Sequence, residues 1–220
     1  MSEDWFGWHD RYDRPDSMLS RRLALVQEQV TQALDRAPDG PVRAISMCAG
    51  QGRDLLGVLE DHPRRSSVSA RLVELDPRNA SEARARASAA GLSGVDVVTG
   101  DAASVAHYVD YVPADVVLVC GVFGNISLTD VQRTVGFCSQ LCATGGTVIW
   151  TRSRWRDPDT VQRICDWFEA CGFERLWVSD PDFPLGVGAH RFTGVPAPVD
   201  PAATMFTFTN ESPRAWPSQR

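Results

Sequence analysis

In Ala44-Ile45-Ser46-Met47-Cys48-Ala49-Gly50-Gln51-Gly52-Arg53-Asp54-Leu55-Leu56 an apolar run enters a Gly-x-Gly turn, and a helical pattern follows at once. Strand, glycine-rich turn and helix start together make the usual cradle for a nucleotide-like ligand. Neither Gly50 nor Gly52 carries a Cβ that would hold a ligand away from the backbone. The helix behind them turns free N–H groups toward a negative or polar group. A packed sheet also uses such turns for tightness alone, so the residues at the following strand ends decide the matter.

Composition narrows the chemistry. The 220 residues suffice for one α/β domain with decorations. The chain carries 22 basic and 28 acidic side chains, a net charge of −6, which argues against a polyanionic partner. Every basic residue is arginine and there is no lysine. That absence removes a P-loop lysine, Schiff-base chemistry and a Tyr-Lys proton relay. Cysteines 48, 120, 138, 142, 165 and 171 form no Cys-x-x-Cys pair and read as small buried residues in a reducing compartment. The histidines stand at 9, 62, 107 and 190, none beside a cysteine at ligand spacing, so no metal site is expected. No signal-like apolar region opens the chain and no apolar run nears ~20 residues. These readings predict a cytoplasmic protein without a membrane partner.

Three segments must position the glycine turn. Residues 1–40 form an aromatic arm, with Trp5, Phe6, Trp8 and Tyr12, and then a helix opened by Ser17. That helix places Leu19, Leu23, Val26, Val30 and Leu34 on one face. Residues 41–210 form the main domain and 211–220 a tail. Within the domain, strands at 42–48, 69–75, 95–99, 114–120, 147–151 and 173–179 alternate with helices at 53–62, 78–90, 103–110, 128–142 and 158–171. This alternation predicts a parallel sheet with helices on both faces. Short strands at 187–193 and 204–209 then break the rhythm.

The order of these elements, with the residues at the strand ends, resembles the class I S-adenosylmethionine-dependent methyltransferases over roughly residues 42–209. The resemblance implies a Rossmann-like α/β fold with seven mostly parallel strands in the order 3-2-1-4-5-7-6, strand seven antiparallel, and here an N-terminal helical extension. The family's Gly-x-Gly-x-Gly motif falls on Cys48, Gly50 and Gly52, with cysteine in place of the first glycine. The acidic residue that often precedes the motif falls on Ser46. The acidic residue that takes the ribose hydroxyls falls on Glu74, with Asp76 as its near competitor. A carboxylate suits that task, since it accepts two charge-assisted hydrogen bonds. Asp101 matches the acidic residue that meets the adenine amino group, and it also suits a helix N-cap. The resemblance therefore implies S-adenosyl-L-methionine as cofactor, S-adenosyl-L-homocysteine as its product, and contacts from Cys48, Ala49, Gly50, Gln51, Gly52, Asp54, Glu74, Leu75, Asp101, Ala102, Cys120, Gly121 and Val122.

The loop Cys120-Gly121-Val122-Phe123-Gly124-Asn125 lacks the Asp/Asn-Pro-Pro-aromatic sequence of enzymes that methylate base amines. It also lacks the Pro-Cys of those that methylate base carbon. A small-molecule acceptor, methylated at O or N, is the class that remains, with no nucleic-acid partner and a monomer or homodimer. Trp5, Trp8, Tyr12, Phe123, Asn125 and Arg152 are the expected acceptor contacts, with Phe183 and Phe192 as further apolar walls. His9 and His190 are the candidate general bases. Two other functions fit the fold class. A nicotinamide-dependent oxidoreductase needs a third glycine, and Leu55 stands near that place. A non-catalytic cofactor-binding protein would tolerate the altered Cys48.

Overall fold

The structure, a computed structural model, describes residues 5–14, 17–155 and 157–209. A short helix α1 (Trp5–Trp8) and a 3-10 turn (His9–Asp13) lead to α2 (Met18–Arg36). Ser17 caps α2, its hydroxyl accepting from the Ser20 amide at 3.0 Å. Then follow β1 (Val42–Met47), α3 (Arg53–Leu59), β2 (Val68–Glu74), α4 (Pro77–Ala89) and β3 (Val95–Thr99). Beyond two 3-10 turns come β4 (Ala114–Val119), α5 (Leu128–Leu141), β5 (Cys142–Ser153), α6 (Asp159–Ala170), β6 (Phe173–Val178) and β7 (Leu185–Phe192).

The seven strands form one sheet in the order β3-β2-β1-β4-β5-β7-β6. The first five are parallel, and β7 runs antiparallel to both of its neighbours. Because side chains alternate along each strand, the sheet feeds two cores. One face carries Ala44, Leu72, Val116, Leu118 and Ile149 against the apolar stripes of α2, α3 and α4. The other carries Ile45, Met47, Val117, Val119, Val148 and Trp150 against α5 and α6. This layering puts the C-terminal ends of β1 to β5, and the loops that leave them, along one edge. Among the described residues no helix is long and apolar enough to cross a membrane.

The expected strand at 204–209 is instead a strap held by two isolated bridges, Ser104 with Thr204 and Ile126 with Phe208. Met205 N–H donates to Ala103 C=O at 2.8 Å and Thr209 N–H to Asn125 C=O at 2.9 Å. The strap's Met205 and Phe206 are buried. The strap thus ties the loop after β3 to the loop after β4.

His190, expected as a base, is a core residue. It lies on β7 opposite Val148 and is fully buried. Its ring stacks on Phe168 at 4.8 Å, and Trp150 Nε1–H donates to its Nδ1 at 3.1 Å. Trp150 reaches that position because β7 offers Gly188, where a Cβ would sit 2.4 Å from the indole. Burial, with the Arg175 charge adding to it, pushes His190 down to about 3. A residue sealed this way cannot meet an acceptor.

The same burial sets a pH dependence. The unfolded chain takes up a proton at His190 below about 6.5, while the folded chain refuses it until about 3, so its contribution to stability is lost as pH falls through that window. His190→Asn keeps an acceptor for Trp150 and removes the titration. Urea unfolding at pH 7 and pH 4.5 should give a pH-dependent loss smaller by about 2–3 kcal/mol in the variant than in the parent; equal losses would contradict this account.

Candidate active site

Between Met47 and Arg53 five residues reverse the chain at the edge. Three take positive φ: Cys48 at 50°, Gly50 at 55° and Gly52 at 73°. Cys48 is the one non-glycine residue with positive φ among the described residues. It holds the left-handed conformation that a glycine would adopt more easily. Its thiol is neutral: burial pushes it up, and the Glu74 and Asp101 carboxylates push it further.

Glu74 is no solvated strand-end charge, being 8% exposed. Its Oε2 accepts from Gly50 N–H at 2.8 Å and its Oε1 from Asp76 N–H at 2.8 Å. Each oxygen keeps a second acceptor site. Asp76 is committed elsewhere, capping α4 through Arg78 N–H at 2.9 Å and pairing with the Arg78 guanidinium at 2.7 Å. Leu75 stands beside Glu74 with 63% of its surface uncovered. Asp101 is exposed at the next strand tip, where its Oδ1 accepts from Ala103 N–H at 2.9 Å. Gly100 N–H donates to Glu74 C=O at 3.0 Å, so the three loops adjoin.

The loop after β4 is braced from below. Gly121 N–H donates to Thr151 Oγ1 at 3.0 Å, and Asn125 Nδ2 to Gly121 C=O at 2.7 Å. Arg152 hydrogen-bonds the Phe123 carbonyl. Val122 and Phe123 are fully buried, and Phe123 packs 6.1 Å from Trp150. Phe123, turned inward by its loop, and Phe192, at the end of β7 and 4.7 Å from the Phe173 ring, therefore belong to the core and are not acceptor walls. The Cys120 thiol is buried and hydrogen-bonded to Asp54. Burial, then the Asp54 charge, holds it well above the usual thiol range, which rules it out as a ready nucleophile.

The arm rests on the glycine turn itself. His9 lies so close that a Cβ on Gly50 would meet its Nε2 at 2.4 Å. Phe6 lies under the Arg78 guanidinium at 5.0 Å, and Asp13 pairs with Arg53 at 2.6 Å. Tyr12 is buried, its hydroxyl taking a hydrogen bond from Arg22. The side chains of Trp5 and Trp8 lie outside the described residues. Gln51 braces the turn from its far side, accepting from Arg53 Nε at 3.1 Å. Arg22, on α2, was missed in the sequence. Its signal was there: it interrupts the stripe Leu19, Val26, Val30, Ala33 at helical spacing.

A family model described as "Putative methyltransferase" matches residues 17–164. The chain belongs to this methyltransferase family. No curated protein matches it in sequence. Solved structures match in fold. An O-methyltransferase family protein from Burkholderia thailandensis superposes with TM-score 0.60 at 16% identity, over 82% of this chain and 58% of that one. Magnesium protoporphyrin IX methyltransferase from Synechocystis PCC 6803, with bound SAM, gives 0.59 at 12% identity over 78% and 79%. The fibrillarin pre-rRNA processing protein of Methanococcus jannaschii gives 0.56 at 17% identity over 70% and 67%.

The methyltransferase cofactor is S-adenosylmethionine, and the residues at this edge fit it. A buried carboxylate with free acceptor sites suits two ribose hydroxyls, and the uncovered Leu75 suits a flat ring. When bound, the cofactor supplies a methyl group on a positively charged sulfur. Glu74, Leu75 and Asp101 would hold its nucleoside, and the Cys48–Gly52 turn its neighbouring chain. Among the described residues no group of three or more His, Cys, Asp or Glu is placed to hold a metal ion.

Because Glu74 holds Gly50 and would also take the ribose hydroxyls, Glu74→Ala should act twice. Calorimetry with S-adenosylhomocysteine should lose roughly 2–4 kcal/mol, and unfolding stability should fall by about 1–3 kcal/mol as two amides lose their acceptor. At Cys48, glycine should leave stability within about 1 kcal/mol of the parent. Cys48→Val should lose roughly 2 kcal/mol, a branched side chain being strained at positive φ. Equal stability of the two Cys48 variants in urea unfolding would remove the strain argument.

Proposed function

We propose that the methyltransferase transfers its methyl group to an O or N atom of a small molecule. The observation that carries this reading is the loop after β4. It offers Gly121, Gly124 and Asn125 at the edge, has no Pro-Pro-aromatic platform for a flipped base, and leaves Cys120 a neutral thiol tied to Asp54. The chain's acidic balance and lack of lysine support the same reading.

The protein's own part in such a reaction is to orient and to exclude water. Braces on the loop, from Thr151, Arg152 and the strap at Thr209, fix the floor beneath the acceptor, and orientation of this kind supplies much of the rate. Arg152 stands at the loop's root, where its guanidinium suits an acidic group on the acceptor. With His190 in the core, His9, against Gly50, is the one of the two candidate bases left at this edge, where His107 also lies, against Gly100. His9 would accept the proton of a hydroxyl acceptor, whereas a neutral amine would need no base at the methyl-transfer step.

Incubation with methyl-labelled S-adenosylmethionine tests the acceptor class. Pools of phenols, carboxylates and amines should take up label, while RNA and DNA should not. Label in RNA alone would overturn the proposal. With a hydroxyl acceptor in hand, His9→Ala should lower turnover about 100-fold or more and flatten its rise with pH.

A further inference from the structure

Beside the glycine turn lie two opposite charges: Arg22, to which no function has been given, and Asp54, so far only an expected cofactor contact and the partner of Cys120. Arg22 projects from the apolar face of α2 and is 9% exposed. One arm of its guanidinium donates to Tyr12 Oη, and its Nε is buried without a partner. Asp54, two residues beyond Gly52, opens α3. Burial pushes its carboxyl up, and the Arg22 charge is the largest influence opposing that. The two charges feel each other, yet among the described residues no ion pair closes between them.

A buried cation with an unsatisfied donor is costly unless something completes it. If Arg22 served packing alone, an apolar residue would continue the stripe of α2 at lower cost. A merely structural ion pair would close. What stays apart is a guanidinium fork on one side and a carboxylate on the other. Cys120 lies against Asp54, and His9 lies against Gly50. Arg53 stacks over Tyr12 at 5.6 Å and completes the charged groups around the pair. A zwitterion satisfies such an arrangement: a carboxylate meets the guanidinium fork in planar fashion, and an ammonium meets the carboxylate.

We propose that Arg22 and Asp54 form a clamp for the amino-acid end of the cofactor, Arg22 taking its α-carboxylate and Asp54 its α-ammonium, with Tyr12 as the positioning residue that holds the guanidinium. The proposal rests on the assignment of S-adenosylmethionine to this edge. It gives the N-terminal arm and α2 a direct part in cofactor recognition, beyond the loops of the sheet.

Two ligands separate the clamp from a structural role. S-adenosylhomocysteine carries the amino-acid end, and 5′-methylthioadenosine has the same nucleoside and sulfur without it. Titration calorimetry on the full chain should show the parent binding S-adenosylhomocysteine more tightly. Arg22→Met and Asp54→Asn should each weaken S-adenosylhomocysteine by about tenfold or more and leave 5′-methylthioadenosine within about threefold. Equal losses for the two ligands, or unchanged S-adenosylhomocysteine binding, would overturn the clamp. If Arg22→Met fails to fold, the isosteric Asp54→Asn decides by the same comparison. A parent protein that binds neither ligand would instead remove the cofactor assignment on which the clamp rests.

Discussion

Both oxygens of the Glu74 carboxylate are taken by backbone amides, one from the turn after β1 and one from the chain two residues beyond Glu74 itself. The edge of the sheet depends on this tie. A five-residue reversal with three left-handed positions has few hydrogen bonds of its own, and an unpaired N–H in a covered place is expensive. Glu74 satisfies Gly50, fixes the distance between the β1 and β2 tips, and still has lone pairs to offer. In the proposed function, fold and ligand site therefore share one side chain. Such sharing makes the site rigid before any ligand arrives, which reduces the ordering needed on binding.

The remaining loops are held on the same principle, by groups that satisfy backbone atoms and do not merely fill space. Thr151 and Arg152 reach from β5 to the loop after β4. Tyr108 Oη donates to the Ala102 carbonyl at 2.9 Å, and the C-terminal strap supplies both loops with further partners. Arginine does much of this bracing. Arg64 donates to carbonyls of Leu34 and Ala37 at 2.8 and 2.6 Å, and Arg154 to those of Ser179 and Phe183, each at 3.1 Å. A planar fork with five donors can serve several carbonyls at once. The chain's exclusive use of arginine thus has a structural side as well as a chemical one.

Charge is placed with the same economy. The exposed pairs Arg53 with Asp13 and Arg191 with Glu174 are surface contacts of small worth. Those that matter are drawn inward: Glu74 on two amides and Arg22 on Tyr12, both buried, and Asp54, half-buried, on Cys120. Where burial is not matched by a charged partner the group is kept neutral, as at His190 and at the cysteine thiols of Cys48 and Cys120.

The alternation of strands and helices, the glycine turn and the acidic residues at the tips of β2 and β3 could all be read along the chain. Each rests on local rules: side-chain period, φ preference, and the spacing imposed by a strand-helix unit. The strand order implied by the family resemblance also held, since a chain with this order of elements has few ways to cover both faces of its sheet. What lay beyond local rules was decided by packing. Nothing in the segment Gly186–Phe192 marks His190 as core; it became so because Gly188 opened room for Trp150, forty residues away in contact terms. Phe123 turned inward for the same reason, to meet that indole. The strap was legible as an extended piece but not as a tie, because its partners sit on two loops far back in the chain. Arg22 looked like one more polar residue of an amphipathic helix until the arm and α3 closed over it. A sequence states what each residue can bond to; only the folded chain states which groups are left, in the dry interior, to bond with.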